Sequence, residues 1–475
     1  MDRALIGGAW SHARKRRFME VADPATGEAI ASVPDCDDED TRYAIEIADS
    51  IWPKWRRSSV GERAAVLAAW HQAVLGKSED LARIITAEQG KPLREARAEV
   101  VYAASFISWY AAEALRVGGY QPSAPLGDRR IFVLKECVGV CAAITPWNFP
   151  AAMVTRKLAP ALAAGCPMII KPSELTPLTA LALARLAQEA GVPDGVISVV
   201  TGAAEPIGRE LTGNNLIKKV SFTGSTAVGR ILMQQCANGI KRLSLELGGN
   251  APFLVFDDAD IPSAVEGLIA SKFRNAGQIC VSANRILIQG AIYDDFVQAL
   301  ADSVKRLRTG CGSDPETTIG PLISVGAAQK VRAHISDALE KGARIVAQGE
   351  DSPNRPAFVR PILLEAATPA MRLAQEETFG PVAALFKFET EEQAISLANA
   401  TPYGLAAYCY AADSFRAWRV AEALEFGIVG MNTGSVSVET APFGGIKYSG
   451  LGREGGREGI EEYLETKVLH WGGLG

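Results

Sequence analysis

The sequence predicts an α/β protein built from two open, doubly wound units that meet near Gly248-Gly249. Three observations carry that prediction. Short apolar runs suited to buried strands alternate with segments whose apolar residues recur at helical spacing. Several of those runs, Val138 to Ile144 among them, are small and apolar on both faces, as in a parallel sheet covered by helices on both sides. A chain of 475 residues is also longer than one hydrophobic core serves.

The elements follow in order. "MDRALIGGAW" reads as a strand turning at Gly7-Gly8, and "DTRYAIEIADSIWPKW" and "GERAAVLAAWHQAVLGKSEDLARIITAEQG" read as helices. "KECVGVCAAITPWNFP" then changes to a buried strand and a proline-bearing loop. "VTRKLAPALAAG" is helical, "PMIIKPSE" a strand leaving into a polar turn, and "LTALALARLAQEAG" a helix. "GVISVVTG" and "KKVSFTG" are strands, and "STAVGRILMQQCA" is a helix. A second series begins after Glu246 with the strands "APFLVF", "NRILIQG" and "FVRPILLE". The helix "YDDFVQALADSVKRL" sets Tyr293, Phe296, Val297, Leu300, Val304 and Leu307 on one face. The final "EEYLETKVLHWGGLG" carries a strand too short for its own core, suited either to another subunit's sheet edge or to an ordinary edge position.

Composition narrows the function classes. Hydrophobic content of 48% and charged content of 22% are those of a globular protein. A net charge of −5 leaves no broad basic excess for nucleic acid or an acidic membrane, and the run "ARKRR" at 13–17 reads as a solvated loop. The first residues lack the apolar core of a signal peptide, and no uninterrupted apolar run reaches the roughly 18 residues of a membrane span. Eight cysteines without CxxC pairs point to reduced thiols and a cytoplasmic setting, where "NAT" at Asn399 is no glycosylation signal. His12, His71, His334 and His470 are not spaced for a metal site; each is expected at the surface, and no metal is expected.

The chemistry-bearing stretches are few. "KFRNAGQICVSANR" holds Cys280 with no neighbouring histidine, and by itself it fits either a buried structural thiol or a nucleophile. A literal GxGxxG at Gly450, Gly452 and Gly455 lacks a preceding strand and reads as a mobile glycine-rich loop. "KVSFTGSTAVGR" ends a strand, turns at Gly224 and opens a helix at Ser225. It fits a pyrophosphate site and a ligand-free serine N-cap equally. "IIKPSE" sits at a strand end, where Lys171, Ser173 and Glu174 would meet an adenosine ribose or simply form a surface turn.

Taken together, "TPWNFP" (145–150), "KPSE" (171–174), "FTGS" (222–225), "ELGG" (246–249), "GQIC" (277–280), "EETFGPV" (376–382) and "PFGGIKYSGLGREG" (442–455) resemble the NAD(P)-dependent aldehyde dehydrogenase superfamily, in order over nearly the whole chain. The resemblance implies a Rossmann-like cofactor domain (1–118 and 139–248), a catalytic domain (249–445) and a small β oligomerisation element (119–138 and 455–475), assembled as a homotetramer or a dimer. It implies Cys280 as nucleophile, with the Asn148 amide and the Cys280 N–H holding the oxyanion, and Glu246 as the base that activates hydrolytic water. Cys280 would be activated by Glu246, by nearby N–H dipoles or by the cofactor's charge.

By the same resemblance Trp147 and Lys171 line the adenosine side, Ser225 the pyrophosphate, and Glu377 the nicotinamide ribose beside Phe379. Glu174 favours NAD, because a carboxylate repels the 2′-phosphate of NADP. The branch most similar is that of succinate-semialdehyde dehydrogenases. There Arg156 and Arg274 would grip the substrate's distal carboxylate, with Ser437 as a third contact. Ser282 stands where many of that branch carry a second cysteine, so no redox disulfide to Cys280 is expected. Val436 and Val438 in the substrate loop leave glutarate semialdehyde and 2-oxoglutarate semialdehyde open. The rival readings are a CoA-acylating enzyme, which needs no hydrolytic base, and a non-catalytic dinucleotide-binding protein, which would typically have lost the nucleophile or the base, whereas this chain keeps both.

Overall fold

The computed structural model describes residues 3–125, 127–350 and 353–473, so parts of the segments 1–118, 119–138, 249–445 and 455–475 lie outside the described residues. Five strands run parallel in the spatial order Ile197–Val199, Met168–Lys171, Val140–Ile144, Ile217–Thr223 and Arg242–Glu246. Short antiparallel strands extend the edges: Ala4–Ile6 with Ala9–Ser11 at one side and Gly450–Leu451 at the other. Side chains of the inner strands are buried on both faces, which is why their sequences do not alternate. The chain leaves Val140–Ile144 for Met168–Lys171 on one side and reaches Ile217–Thr223 on the other. Connections therefore diverge at the carboxyl end of Val140–Ile144, the crevice where doubly wound sheets hold ligands. "TPWNFP", "KPSE" and "FTGS" leave from these three strand ends.

A second sheet runs in the order Arg344–Gln348, Ile362–Glu365, Val382–Phe388, Ala283–Gln289, Ala251–Val255, Ala406–Tyr410 and Ile428–Met431. Arg344–Gln348 is antiparallel; the other six are parallel. Its core is packed by Phe253, Phe256, Phe296 and Tyr408, all fully buried.

Helices cover the first sheet. Val60–Gly76 starts at a capping box, with Ser59 accepting from the Glu62 N–H and Glu62 from the Ser59 N–H, a device worth about 1 kcal/mol. This helix and Leu93–Ala114 bury Trp70, Phe106 and Tyr110 near Ala152–Ala164. Every residue of Ala152–Ala164 is buried, Arg156 and Lys157 included. Two cations inside an otherwise apolar helix demand partners, and those partners build the site described below.

Two expectations are corrected, and one strand is added. The glycine-rich stretch at 450–455 is no mobile loop: Leu451 and Gly450 pair antiparallel with Leu245 and Glu246. A Cβ at Gly450 would lie 1.8 Å from the Leu245 carbonyl oxygen, so glycine is what lets the segment approach. His334 is fully buried rather than exposed, because its ring bridges Thr378 at 3.3 Å and Glu376 at 3.2 Å. The strand Arg129–Cys137 was not read from the sequence. It pairs antiparallel with Leu464–Gly472 over its whole length, so the C-terminal strand finds a partner within its own chain. Neither strand has one buried face, and without a burial contrast no period-two pattern marks it.

Candidate active site

Cys280 follows a strained turn. Asn275 and Ala276 sit at φ 51° and 54°, the left-handed region that costs a non-glycine residue about 1 kcal/mol or more. Gln278 locks the turn by donating to the Asn275 carbonyl at 3.1 Å and accepting from the Ile323 N–H at 2.9 Å. The turn also meets the end of the first sheet. A Cβ at Gly249 would stand 2.4 Å from the Cys280 carbonyl oxygen, so "ELGG" and "GQIC" touch only because Gly249 has no side chain.

Asn148 is held from both units. Its carbonyl accepts from Lys91 Nζ at 2.7 Å and Asn275 Nδ2 at 3.0 Å, and its own Nδ2 donates to the Gln278 carbonyl at 3.0 Å. One amide N–H remains free. The Cys280 backbone N–H likewise has no acceptor among the described residues. Both residues line one cavity, and two unspent donors there are what an oxyanion hole needs.

A cavity of about 480 Å³ brings most of the expected residues together: Asn148, Arg156, Arg274, Cys280 and Ser437 line it along with Trp147, Gly224, Ser225, Glu377 and Phe379. Trp147 stands edge-on to Phe379 at 5.5 Å, so the indole lies with a residue expected beside the nicotinamide ribose. Lys171, Ser173 and Glu174 do not line this cavity. They sit at the neighbouring strand end, where Lys171 Nζ meets Glu174 at 2.8 Å and Ser173 Oγ accepts from the Leu175 N–H. Ser225 caps the helix Thr226–Ala237 by accepting from the Val228 N–H at 3.3 Å; the Thr226 and Ala227 N–H groups stay unspent at the helix start.

The two arginines differ. Arg274 is exposed on the cavity wall, 5.8 Å from the Phe149 ring, with no ion pair among the described residues. Arg156 is 3% exposed, ringed by Phe443 at 4.3 Å and Phe106 at 4.8 Å, bonded to the Tyr102 hydroxyl and 4.0 Å from Glu454. Its charge is thus partly answered inside the protein.

Glu246 lies behind the cavity wall, buried, with neither carboxylate oxygen hydrogen-bonded; a Cβ at Gly444 would be 3.0 Å from its Oε1. Burial, and then the neighbouring Glu454, push its carboxyl well above the usual range. Glu454 goes the other way. Burial alone would raise it, but the Lys157 ammonium and the Arg156 guanidinium hold it below the usual carboxylate range. Lys157 Nζ bonds Glu454 and, at 2.7 Å, Thr223 Oγ1. Sequence reasoning missed Lys157, Glu454 and Lys91. The signal available was a lysine opening the apolar stretch "KLAPALAAG" and a lone glutamate among glycines.

The Cys280 thiol is pushed up to about 12, first by burial and next by Glu377. Glu377, which accepts from the Gly249 N–H at 3.0 Å, is itself raised to about 7 by burial. The cofactor-free thiol is therefore protonated at neutral pH. Alkylation of Cys280 by iodoacetamide, followed by peptide mass spectrometry, is expected to accelerate about tenfold per pH unit from 7 to 10 with no plateau. A plateau below pH 9 would contradict that.

Residues 10–469 match the model of the Aldehyde dehydrogenase family. The chain belongs to the aldehyde dehydrogenase family. It is 54% identical to the succinate-semialdehyde dehydrogenase (NADP(+)) GabD of Escherichia coli (strain K12) over 98% of this chain and 97% of that one. It is also 54% identical to the glutarate-semialdehyde dehydrogenase of Pseudomonas putida, with the same coverage. The crystal structure of succinate-semialdehyde dehydrogenase from Burkholderia pseudomallei superposes with a TM-score of 0.98 at 54% identity, covering 99% of this chain and 98% of that one. Aldehyde dehydrogenases use NAD(P), and the free helix-start N–H groups, Glu174 at its strand end and the Glu377-Phe379 wall fit such a dinucleotide. Among the described residues no helix is long and apolar enough to cross a membrane.

Proposed function

We propose that this chain oxidises succinate semialdehyde to succinate with NAD. The observation that carries this reading is a single cavity holding the Cys280 thiol together with two guanidiniums, Arg156 and Arg274. An aldehyde with a distal carboxylate then has a partner for each end. Cys280 attacks the carbonyl carbon, and the Asn148 amide and Cys280 N–H hold the oxyanion of the thiohemiacetal. The dinucleotide, when bound by Ser225, Gly224, Glu174 and Glu377, supplies the hydride acceptor. Glu246 draws a proton from water, and that water releases the acid from the Cys280 thioester.

The test is steady-state NADH formation with succinate semialdehyde, glutarate semialdehyde, 2-oxoglutarate semialdehyde and butanal. Equal kcat/KM for butanal would defeat the carboxylate assignment, and strict dependence on CoA would favour the acylating reaction. A glutarate semialdehyde substrate is the second reading, favoured by a relative of that name at 54% identity. Arg274→Gln is expected to lower kcat/KM for the semialdehyde by about 10- to 100-fold, mostly through KM, because a charge-assisted bond contributes about 1.5–3 kcal/mol. Butanal should change little.

For the cofactor, the half-exposed Glu174, paired to Lys171 at the end of its strand, supports NAD, since a carboxylate there would repel a 2′-phosphate. Glu174→Gln is expected to raise the ratio of NADP to NAD kcat/KM by about tenfold or more, read from initial rates with both dinucleotides. The exposed Val468, Leu469 and Trp471 on the two-stranded ribbon, and Val228, Ile231 and Met233 on Thr226–Ala237, support a homotetramer. Eight free cysteines agree with a cytoplasmic enzyme.

A further inference from the structure

A second cavity, about 380 Å³, lies where the helices Asp38–Trp55 and Val60–Gly76 meet the root of the strand Arg129–Cys137. It shares no lining residue with the cavity around Cys280. Arg56, Arg57, Arg63 and Lys135 line it, against a single carboxylate, Glu136. In a chain of net charge −5 this is a local concentration of cations and no reflection of composition.

The nearby acids are already engaged. Glu136 pairs with Lys467 at 2.7 Å, and Lys135 with Glu461 at 2.6 Å. Arg56, Arg57 and Arg63 have no ion pair among the described residues. Arg63 is the telling one, because it is 8% exposed. Its Nε donates to the Ala163 carbonyl at 2.9 Å and its Nη1 to the Ser58 carbonyl at 2.5 Å; Nη2 has no acceptor among the described residues. Carbonyl dipoles orient a guanidinium without neutralising it, so a buried cation is left without a counter-ion. Arg56 is likewise positioned, its guanidinium 5.0 Å from the Trp52 ring centroid. The indole is fixed by donating to Cys137 Sγ at 3.3 Å.

We propose that this cavity binds a small oxyanion, a phosphate or a short dicarboxylate, through the unspent Nη2 of Arg63 with Arg56 and Arg57 closing over it. Bound there, the anion ties the corner between the two helices to the base of the exposed ribbon.

The test is isothermal titration calorimetry of the full-length protein, saturated with NAD, against inorganic phosphate and, separately, succinate. The comparison is the double variant Arg56→Ala/Arg57→Ala. Both side chains are exposed, and Arg56 caps the helix Asp38–Trp55 through its backbone N–H alone, which alanine keeps, so the variant should keep the wild-type Tm and kcat/KM. At least one probe is expected to bind at one site per chain with a Kd that the double variant raises tenfold or more. Which probe loses that event identifies the anion as a phosphate or a carboxylate; succinate bound at Arg274 persists in both proteins. No binding by either probe beyond that persistent event, or binding unchanged in the variant, overturns the proposal.

Discussion

Replacing Cys280 by alanine is expected to cut NADH formation by about 10,000-fold or more while leaving the fold and dinucleotide binding intact. The effect is large because no second nucleophile faces the oxyanion donors. Ser282, two residues on, is 7% exposed and donates back to the Lys272 carbonyl at 3.4 Å. The other cysteines do not line the cavity. Dinucleotide affinity by fluorescence titration, alongside rates with succinate semialdehyde, separates the outcomes. Retained binding with lost turnover supports the assignment; turnover within tenfold of wild type would remove Cys280 from the chemistry.

Glu246→Gln is expected to change the shape of the time course as well as its rate. The glutamine cannot take a proton from water, so the thioester on Cys280 should persist. A burst of about one NADH per chain should be followed by a steady state slowed about 1,000-fold. Stopped-flow absorbance reads the burst, and intact-mass spectrometry reads the acyl adduct on Cys280. Loss of the burst itself would mean that Glu246 acts before acylation, as the base that activates the thiol. The wild-type acid limb should lie above the ordinary carboxylate range, because burial and Glu454 oppose ionisation of Glu246. Activity then rises with pH as the carboxyl loses its proton.

The residues of the site were legible individually. "GQIC", "ELGG" and "TPWNFP" each contain a short-range requirement, a turn or a close approach, that leaves glycine, proline or asparagine in a readable place. Lys171, Ser173 and Glu174 were legible as a strand-end turn. What their line of residues did not reveal is that Trp147 stands with Phe379, or that Glu246 sits behind the wall rather than on it. His334 was misread as exposed because its partners, Thr378 and Glu376, are about 40 positions away and invisible to helical periodicity.

The amino-acid order by itself determined the alternation of strands and helices, the two units, and which side chains could do chemistry, since these depend on neighbours within a turn or two. The tertiary structure alone decided the charge states. Lys157 and Glu454 lie 297 residues apart and share one buried bond, and Glu454 and Glu246 compete for the same two cations, Lys157 and Arg156. Ionisation depends on burial and on charges within a few ångströms, and those are set by which distant segments the fold brings together.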